Sequence, residues 1–259
     1  MTEPSLASRP FRTETGLSRR RLLLGALGAP ALGALAACGG GGDDRPQDPL
    51  LRFVNGTRDV SLASFYVDNI LATSVNIGGN GSVYGALFRG THTVAVKQGE
   101  RELERVQLAF PGDSRTTVVA YGSAATGGDV RFWVIDESSA LPPLGRVRVR
   151  AFHGAVHHQQ VRLAVHIGAA DAPLGLPTFT LDAYETRSAF VELPAGTYRV
   201  RVTPAADPSQ VLLDSADAIL PADTVWQLAV VPRSASSTKV NIAAIRERGD
   251  GRTWTDTQS

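Results

Sequence analysis

The sequence predicts an all-β protein whose main part consists of two tandem antiparallel β-sandwiches. From Leu50 onward, apolar residues fall in short runs with period-two alternation, separated by Gly, Asn, Asp and Pro. This pattern is typical of half-buried strands joined by turns. No stretch of this region shows a sustained helical period with capping residues. With 259 residues, the chain is long enough for two domains of common size.

Candidate strands fill both halves of this region, and short strands at this spacing indicate a sandwich. In the first module, residues 50–138, we predict strands at 51–55, 63–68, 82–88, 92–97, 105–109, 116–121 and 130–135. In the second module, residues 146–248, we predict strands at 146–152, 161–167, 179–181, 188–193, 198–203, 211–213, 225–231 and 240–246. Trp133 and Trp226 lie in late strands with apolar neighbours, so each is predicted to fill the core of its own module.

The boundaries of the modules follow from breaks in the pattern. Pro142-Pro143 followed by Gly145 predicts a linker at residues 139–145. Residues 249–259 are polar, apart from the isolated Trp254, and are predicted to form a disordered tail.

The two modules also resemble each other in sequence. Leu51-Arg52-Phe53-Val54-Asn55-Gly56 aligns with Val149-Arg150-Ala151-Phe152-His153-Gly154. Gly90–Val96 aligns with Gly196–Val202, a turn that leads into a strand in each module. Because these landmarks recur in the same order, the sequence indicates an internal repeat.

The N-terminal residues 1–37 have the composition of an export signal. Ser18-Arg19-Arg20-Arg21-Leu22-Leu23 resembles the twin-arginine export signature, in which Arg19 and Arg20 are the recognised pair. Leu22–Ala37 contains sixteen residues without a charge, the length of a signal-peptide core and short for a helix that crosses a bilayer. We therefore predict export from the cytoplasm.

The apolar segment ends in Leu35-Ala36-Ala37-Cys38, which resembles the lipobox of bacterial lipoproteins. This resemblance implies that lipid is attached to the Cys38 sulfur and that cleavage makes Cys38 the new N-terminus. An uncleaved membrane anchor is the alternative. Gly39 follows the cysteine where retention in the inner membrane usually has Asp, so the outer membrane is favoured, facing the periplasm or the surface. Residues 38–49, the lipidated cysteine and a Gly-rich polar stretch, are predicted to form a flexible tether.

Charge and cysteine content exclude two classes of protein. Five of the 26 basic residues and two of the 25 acidic residues precede Cys38, which leaves 21 basic and 23 acidic residues. A near-neutral remainder gives no electrostatic basis for binding nucleic acid. A single cysteine rules out an intramolecular disulfide framework.

Both modules resemble the bacterial domain-of-unknown-function family 4397. The closest match is Leu193-Pro194-Ala195-Gly196-Thr197-Tyr198, and further matches are Asn55, His153, Phe65–Asp68 and Thr116–Tyr121. The first module departs from the pattern at its turn, Leu87–His92, and the second lacks an acid equivalent to Asp68. The resemblance covers residues 50–136 and 145–247. It implies an immunoglobulin-like fold and an envelope setting, and it carries over no catalytic residue.

Four of the five histidines lie in the second module: His153, His157, His158 and His166. They are candidate ligands for zinc or copper. The alternative is that His153 binds the backbone of its turn and that His157 and His158 belong to an exposed polar loop. Adjacent histidines on a strand would also point to opposite faces. We favour the second interpretation and predict no metal and no cofactor.

These observations predict a lipid-anchored protein of the bacterial cell envelope that displays two immunoglobulin-like β-sandwiches. The expected role is structural or binding rather than enzymatic, because there is no Gly-x-Ser-x-Gly motif and no phosphate-binding Gly-rich motif. The expected partners are membrane lipid through Cys38 and an envelope protein or glycan. The rival hypothesis is a metal-handling or enzymatic protein that uses the loop with His153, His157 and His158.

Overall fold

Strands form nearly all of the regular structure in the described part of the chain. The computed structural model describes residues 46–78, 80–125, 128–169 and 171–257, and these residues contain 17 β-strands and one short 3-10 turn at Val156–His158. Residues 45–259 form one compact unit. The prediction of an all-β fold with β-sandwich modules is confirmed.

The first module contains eight strands in two sheets. The strands are β1 (Leu50–Thr57), β2 (Leu62–Val67), β3 (Ile70–Asn76), β4 (Gly85–Ala86), β5 (Gly90–Gln98), β6 (Arg101–Phe110), β7 (Arg115–Gly122) and β8 (Val130–Asp136). We name the sheet with strand order β4-β1-β7-β8 the first inner sheet and the sheet with order β3-β2-β5-β6 the first outer sheet.

The second module repeats this topology strand for strand and adds one strand. Its strands are β9 (Arg146–His153), β10 (Leu163–Gly168), β11 (Phe179–Leu181), β12 (Val191–Pro194), β13 (Gly196–Pro204), β14 (Leu213–Leu220), β15 (Thr224–Pro232), β16 (Val240–Arg246) and β17 (Arg252–Trp254). The second inner sheet has the order β12-β9-β15-β16-β17, and the second outer sheet has the order β11-β10-β13-β14. Apart from β17, each strand number is eight higher than that of its counterpart.

The sheets are not purely antiparallel, contrary to our prediction. In each inner sheet the first strand of the module pairs in parallel with the seventh, β1 with β7 and β9 with β15. The remaining pairs are antiparallel. A parallel pair requires a long crossover, which here runs through the outer sheet of the same module.

The two inner sheets pack face to face, so the protein has four layers. A third hydrophobic cluster lies between the modules, separate from the core inside each of them. Val54, Val119 and Trp133 form one cross-strand row of the first inner sheet. Their counterparts by register in the second inner sheet are Phe152, Ala229 and Ala243.

We predicted that Trp133 fills the core of its own module, and this prediction is wrong. Its indole stacks on the ring of Phe152 in the second module, with centroids 4.4 Å apart. Trp226, in contrast, lies in the core of the second module. The difference arises because Trp133 points to the face of β8 that the second module covers.

Packing on both faces changes the burial pattern of the inner strands. Every residue of β15 is buried, as are all but one end residue of β1, β7 and β16. Strands covered on both sides lose the alternation of apolar and polar residues. Period-two alternation therefore describes the outer strands better than the inner ones.

The described residues of the predicted tail and tether, 249–257 and 46–49, pack on the body. In the tail, β17 pairs with β16, and the buried Trp254 stacks on Trp226 with centroids 6.2 Å apart. In the tether, Asp113 receives a hydrogen bond from the Gln47 amide (2.7 Å), and Pro49 is buried. Polar composition indicated disorder, but one tryptophan and a few backbone hydrogen bonds hold these segments on the body.

The molecule has two ends, which we define by the direction of the inner strands. The tether end contains the starts of β1, β7, β9 and β15, and the chain enters the body there at Pro46. The far end contains the ends of these strands. Both modules share this direction, because Phe152 late in β9 contacts Tyr121 late in β7, and Arg52 early in β1 reaches Arg246 at the end of β16.

Candidate functional site

A buried ion pair lies between the inner sheets near the tether end. The Arg52 guanidinium contacts a Glu137 carboxylate oxygen at 3.1 Å, and both side chains are almost completely buried. Arg52 also donates to the Thr117 hydroxyl (2.6 Å) and to the carbonyls of Arg246 and Gly249. It thereby links a strand of the first module to the end of β16 in the second.

Glu137 has further donors besides Arg52. The Tyr84 hydroxyl donates to it at 2.5 Å, and the Thr117 hydroxyl and the Arg248 amide donate as well. Burial, and then the hydrogen bond to Glu137, raise the pKa of the Tyr84 phenol. The carboxylate is therefore satisfied by groups of the protein itself, and Tyr84 stays protonated.

The second module has a related network at the equivalent positions. Arg150 on β9 donates to Gln227, and Gln227 donates to Glu247. By register, Arg52 pairs with Thr117 as Arg150 pairs with Gln227. The backbone amide of each glutamate donates a hydrogen bond to a carbonyl at an equivalent strand start. Glu137 donates to Arg115, and Glu247 donates to Val225.

Sequence reasoning did not single out these residues, although a signal was present. Arg52 and Arg150 occupy the same position in the aligned segments, each followed by two apolar residues. A charged residue that recurs at the same strand position in both modules indicates a paired charge, because an isolated one is costly to bury.

Asn55 and His153 occupy equivalent positions at the ends of β1 and β9, and each binds a backbone carbonyl. The Asn55 amide donates to the carbonyls of Val60 (2.8 Å) and Val75 (3.0 Å). His153 Nε2 lies 3.1 Å from the Val161 carbonyl. Both side chains pin the loop that follows their strand, which is the role predicted for His153.

We expect Asn55→Leu to destabilise the protein by roughly 1–3 kcal/mol for each carbonyl that it leaves unpaired. Leucine keeps the side-chain volume but donates no hydrogen bond. Urea unfolding followed by circular dichroism measures the change. Ser64→Ala is the control, because the Ser64–Ser74 hydroxyl contact is exposed. An equal effect of both substitutions would contradict this role of Asn55.

Our favoured interpretation placed His157 and His158 in an exposed polar loop, and this is wrong. They form a 3-10 turn at the far end, and their rings lie 4.2 Å apart. His158 Nε2 contacts the Thr238 carbonyl at 2.8 Å. Both ring nitrogens of His157 are shielded from solvent, and backbone groups of Thr238 and Lys239 lie close to the ring. Burial, and then the nearby His158, lower the pKa of His157 to about 4.

The fourth candidate, His166, lies on β10 beside a pocket of about 130 Å³ lined by Arg199 and Arg201. His166 Nδ1 contacts the Gly175 carbonyl at 2.9 Å, and the two arginines share the Asp214 carboxylate. Within the residues that the structure describes, no three His, Cys, Asp or Glu side chains are grouped so that they could hold a metal ion. The four histidines are therefore not brought together as a set of metal ligands.

Acid should weaken the fold between pH 6.5 and about pH 4. The pKa of His157 falls from 6.5 in the unfolded chain to about 4 in the folded one. In this window the unfolded chain binds a proton that the folded chain excludes, so stability falls as the pH drops. His153 acts in the same direction, because burial lowers its pKa. His92 acts in the opposite sense and at higher pH: its hydrogen bond to Asp68 raises its pKa, so the stability that it adds is fully present below pH 6.5 and is lost as the pH rises above that value.

Urea midpoints at pH 7.5 and pH 5 measure this effect. We expect His157→Gln to lose less stability than the wild type between the two pH values, while His92→Gln loses more. A pH dependence of His157→Gln identical to that of the wild type would show that His157 does not contribute.

The remaining predicted site residues lie outside the described residues: Arg19, Arg20, Leu35, Ala36, Ala37 and Cys38. Across the described ranges, no helix is long and apolar enough to cross a membrane.

Comparison with known proteins connects the first module with a family. No curated protein sequence matches the chain. The matched region begins in the tether, spans the whole first module and ends in β10. Residues 49–164 are similar to DUF4397, a domain of unknown function.

Proposed function

We propose that this chain is a lipid-anchored protein of the bacterial cell envelope, with a non-enzymatic structural or binding role. Arg19 and Arg20 direct its export, and lipid on Cys38 attaches it to the membrane, in our proposal the outer one. The main support is the position of Cys38. It follows an uncharged stretch of sixteen residues and precedes β1, which starts at Leu50, by only twelve residues.

We further propose that the second module is a second copy of the same family. The strand order of the two modules is the same. The pairs Arg52/Arg150, Asn55/His153 and Glu137/Glu247 occupy equivalent positions. A duplicated domain explains why the networks at the tether end and the loop contacts at the far end occur twice.

The non-enzymatic role is supported by the way the buried polar groups are used. Arg52 and Glu137 bind each other and the neighbouring strands, and His153 binds the backbone of its own loop. Groups that catalyse usually converge on a cleft where a reacting atom can approach them. Here they face the interior and join strands, which suits a rigid body that presents its far end to a protein or glycan.

Incorporation of labelled palmitate in a bacterial host tests the anchor. The wild-type chain should be labelled and should sediment with the membrane fraction. Cys38→Ala should be unlabelled and should be released by breaking the cells. Replacing both Arg19 and Arg20 by Lys should leave unprocessed precursor in the cytoplasm. Equal labelling of the wild type and Cys38→Ala would disprove the attachment site.

A further inference from the structure

Exposed apolar side chains concentrate at the tether end of the molecule. Phe88 is 82% exposed, Leu144 91%, Ile70 64% and Leu141 59%. All four lie on loops or strand ends at the tether end, Ile70 and Phe88 on the first module and Leu141 and Leu144 on the segment between the modules. Soluble surfaces seldom gather side chains of this size without a partner.

Contacts of their neighbours fix these residues at that end. The amide of Leu87, next to Phe88, donates to the Pro49 carbonyl at 3.1 Å, beside the entry of the chain. Ile70 follows a turn at Asp68, whose carboxylate contacts His92 near the start of β5. Leu144 precedes Gly145, whose amide donates to Asp223 just before β15 begins.

The tether end carries charges of both signs beside its exposed apolar side chains. Arg89 and Arg248 lie at this end together with Asp48 and Asp113, so that neither sign dominates. The mixed charges give no electrostatic complementarity for an anionic polymer or a basic protein. The interface of a lipid bilayer would accommodate the apolar side chains without electrostatic complementarity.

The length of the chain between Cys38 and Pro46 indicates which partner can cover the tether end. Eight peptide steps join Cys38 to Pro46, which span at most about 26–29 Å when fully extended. A strand of eight residues is itself about 26 Å long, so the far end lies roughly one strand length further from any anchor at Cys38. With lipid attached at Cys38, the tether end would be the part of the body nearest to the bilayer.

We propose that the tether end is a membrane-contact surface, in which Phe88 and Leu144 insert their side chains into the lipid interface. The proposal rests on the proposed lipid anchor at Cys38. Insertion would hold the four-layer body upright on the membrane, with the far end directed away from it. Each inserted side chain removes apolar surface from water, so the contact should be insensitive to salt.

Quenching of tryptophan fluorescence by brominated lipid tests this proposal. Residues 38–259 contain the compact unit and one cysteine, so they can be coupled through Cys38 to a maleimide lipid. The vesicles contain phosphatidylethanolamine with a minor share of phosphatidylglycerol. The native Trp133, Trp226 and Trp254 are buried and supply a constant background. Single substitutions Phe88→Trp and Leu144→Trp then report on the tether end.

Leu62→Trp is the matched control, because Leu62 is an apolar residue at the far end and is 48% exposed. We expect brominated lipid to quench most of the added emission of Phe88→Trp and Leu144→Trp, at low and at high salt, and none of that of Leu62→Trp. Quenching at residues 88 and 144 no stronger than at residue 62 would overturn the proposal.

Chemical coupling makes this test independent of lipidation in the cell. Quenching at the tether end together with absent palmitate labelling would refute the Cys38 anchor and leave the contact surface standing. Palmitate labelling without quenching would refute the contact surface and leave the anchor standing.

Discussion

Replacing Arg52 by methionine should destabilise the protein by about 3–5 kcal/mol, the usual cost of removing one partner of a buried ion pair. Methionine fills part of the space but leaves the Glu137 carboxylate without its cation. It also leaves the carbonyls of Arg246 and Gly249 without the donors that Arg52 supplies. Urea unfolding at pH 7.5, followed by circular dichroism, measures the loss.

The exposed ion pair of Arg105 and Glu102 provides the control, because its charges remain in contact with water. Arg105→Met should change the urea midpoint only slightly. The double substitution Arg52→Met/Glu137→Leu should recover part of the loss, since it removes the unpaired charge. An effect of Arg52→Met as small as that of Arg105→Met would show that the buried pair does not stabilise the contact between the modules.

Trp133→Ala should cost about 3–5 kcal/mol, the range for removing a large aromatic residue from a core. The lost packing includes the stack on Phe152 across the interface between the modules. Coupling between neighbouring modules depends on the energy of their interface. We therefore expect the wild type to unfold in one transition and Trp133→Ala to unfold in two that no longer coincide.

Phe65→Ala is the matched control for this coupling. Phe65 stacks on Phe53 inside the first module, with centroids 4.6 Å apart, and does not belong to the interface cluster. This substitution should lower stability while hydrogen exchange shows the two modules still opening together. A single coincident transition in Trp133→Ala, with a loss below about 1 kcal/mol, would show that the interface contributes little.

The outer strands and the order of landmarks could be predicted from the sequence, because they depend on local pattern. β2, β5, β10 and β13 occur close to their predicted positions, since their alternating residues face a core on one side only. β3 was missed. It follows a turn in which Asp68 and Asn69 both have positive φ, and its residues Ile70–Asn76 show no clear alternation. Such a turn joins two strands without the glycine or proline that usually marks it.

The stacking of the modules could not be predicted from local pattern, because it depends on two surfaces far apart in the sequence. One signal was available. The runs Thr116–Tyr121 and Val225–Val231 are apolar or uncharged throughout, which is typical of strands covered on both faces. Taken as ordinary sandwich strands, they led us to expect separate modules, with Trp133 inside the first.

In the candidate site, too, some features could be predicted from the local sequence pattern and others could not. The role of His153 at its loop was predictable, because the aligned Asn55 indicated a short polar side chain at a strand end. The burial of His157 and the joining of Arg52 to β16 were not predictable, since each depends on a residue from a distant strand.

The contact between the inner sheets is asymmetric, although the two modules have the same topology. Trp133 corresponds to Ala243, Tyr121 to Val231 and Phe152 to Val54, so that large and small residues alternate between the two surfaces. Two identical chains related by a twofold axis would have to place the same residue at both positions. Covalent linkage removes this restriction and makes the association independent of protein concentration. Each module has thus become a specific partner for the other, and neither is expected to pair equally well with a copy of itself.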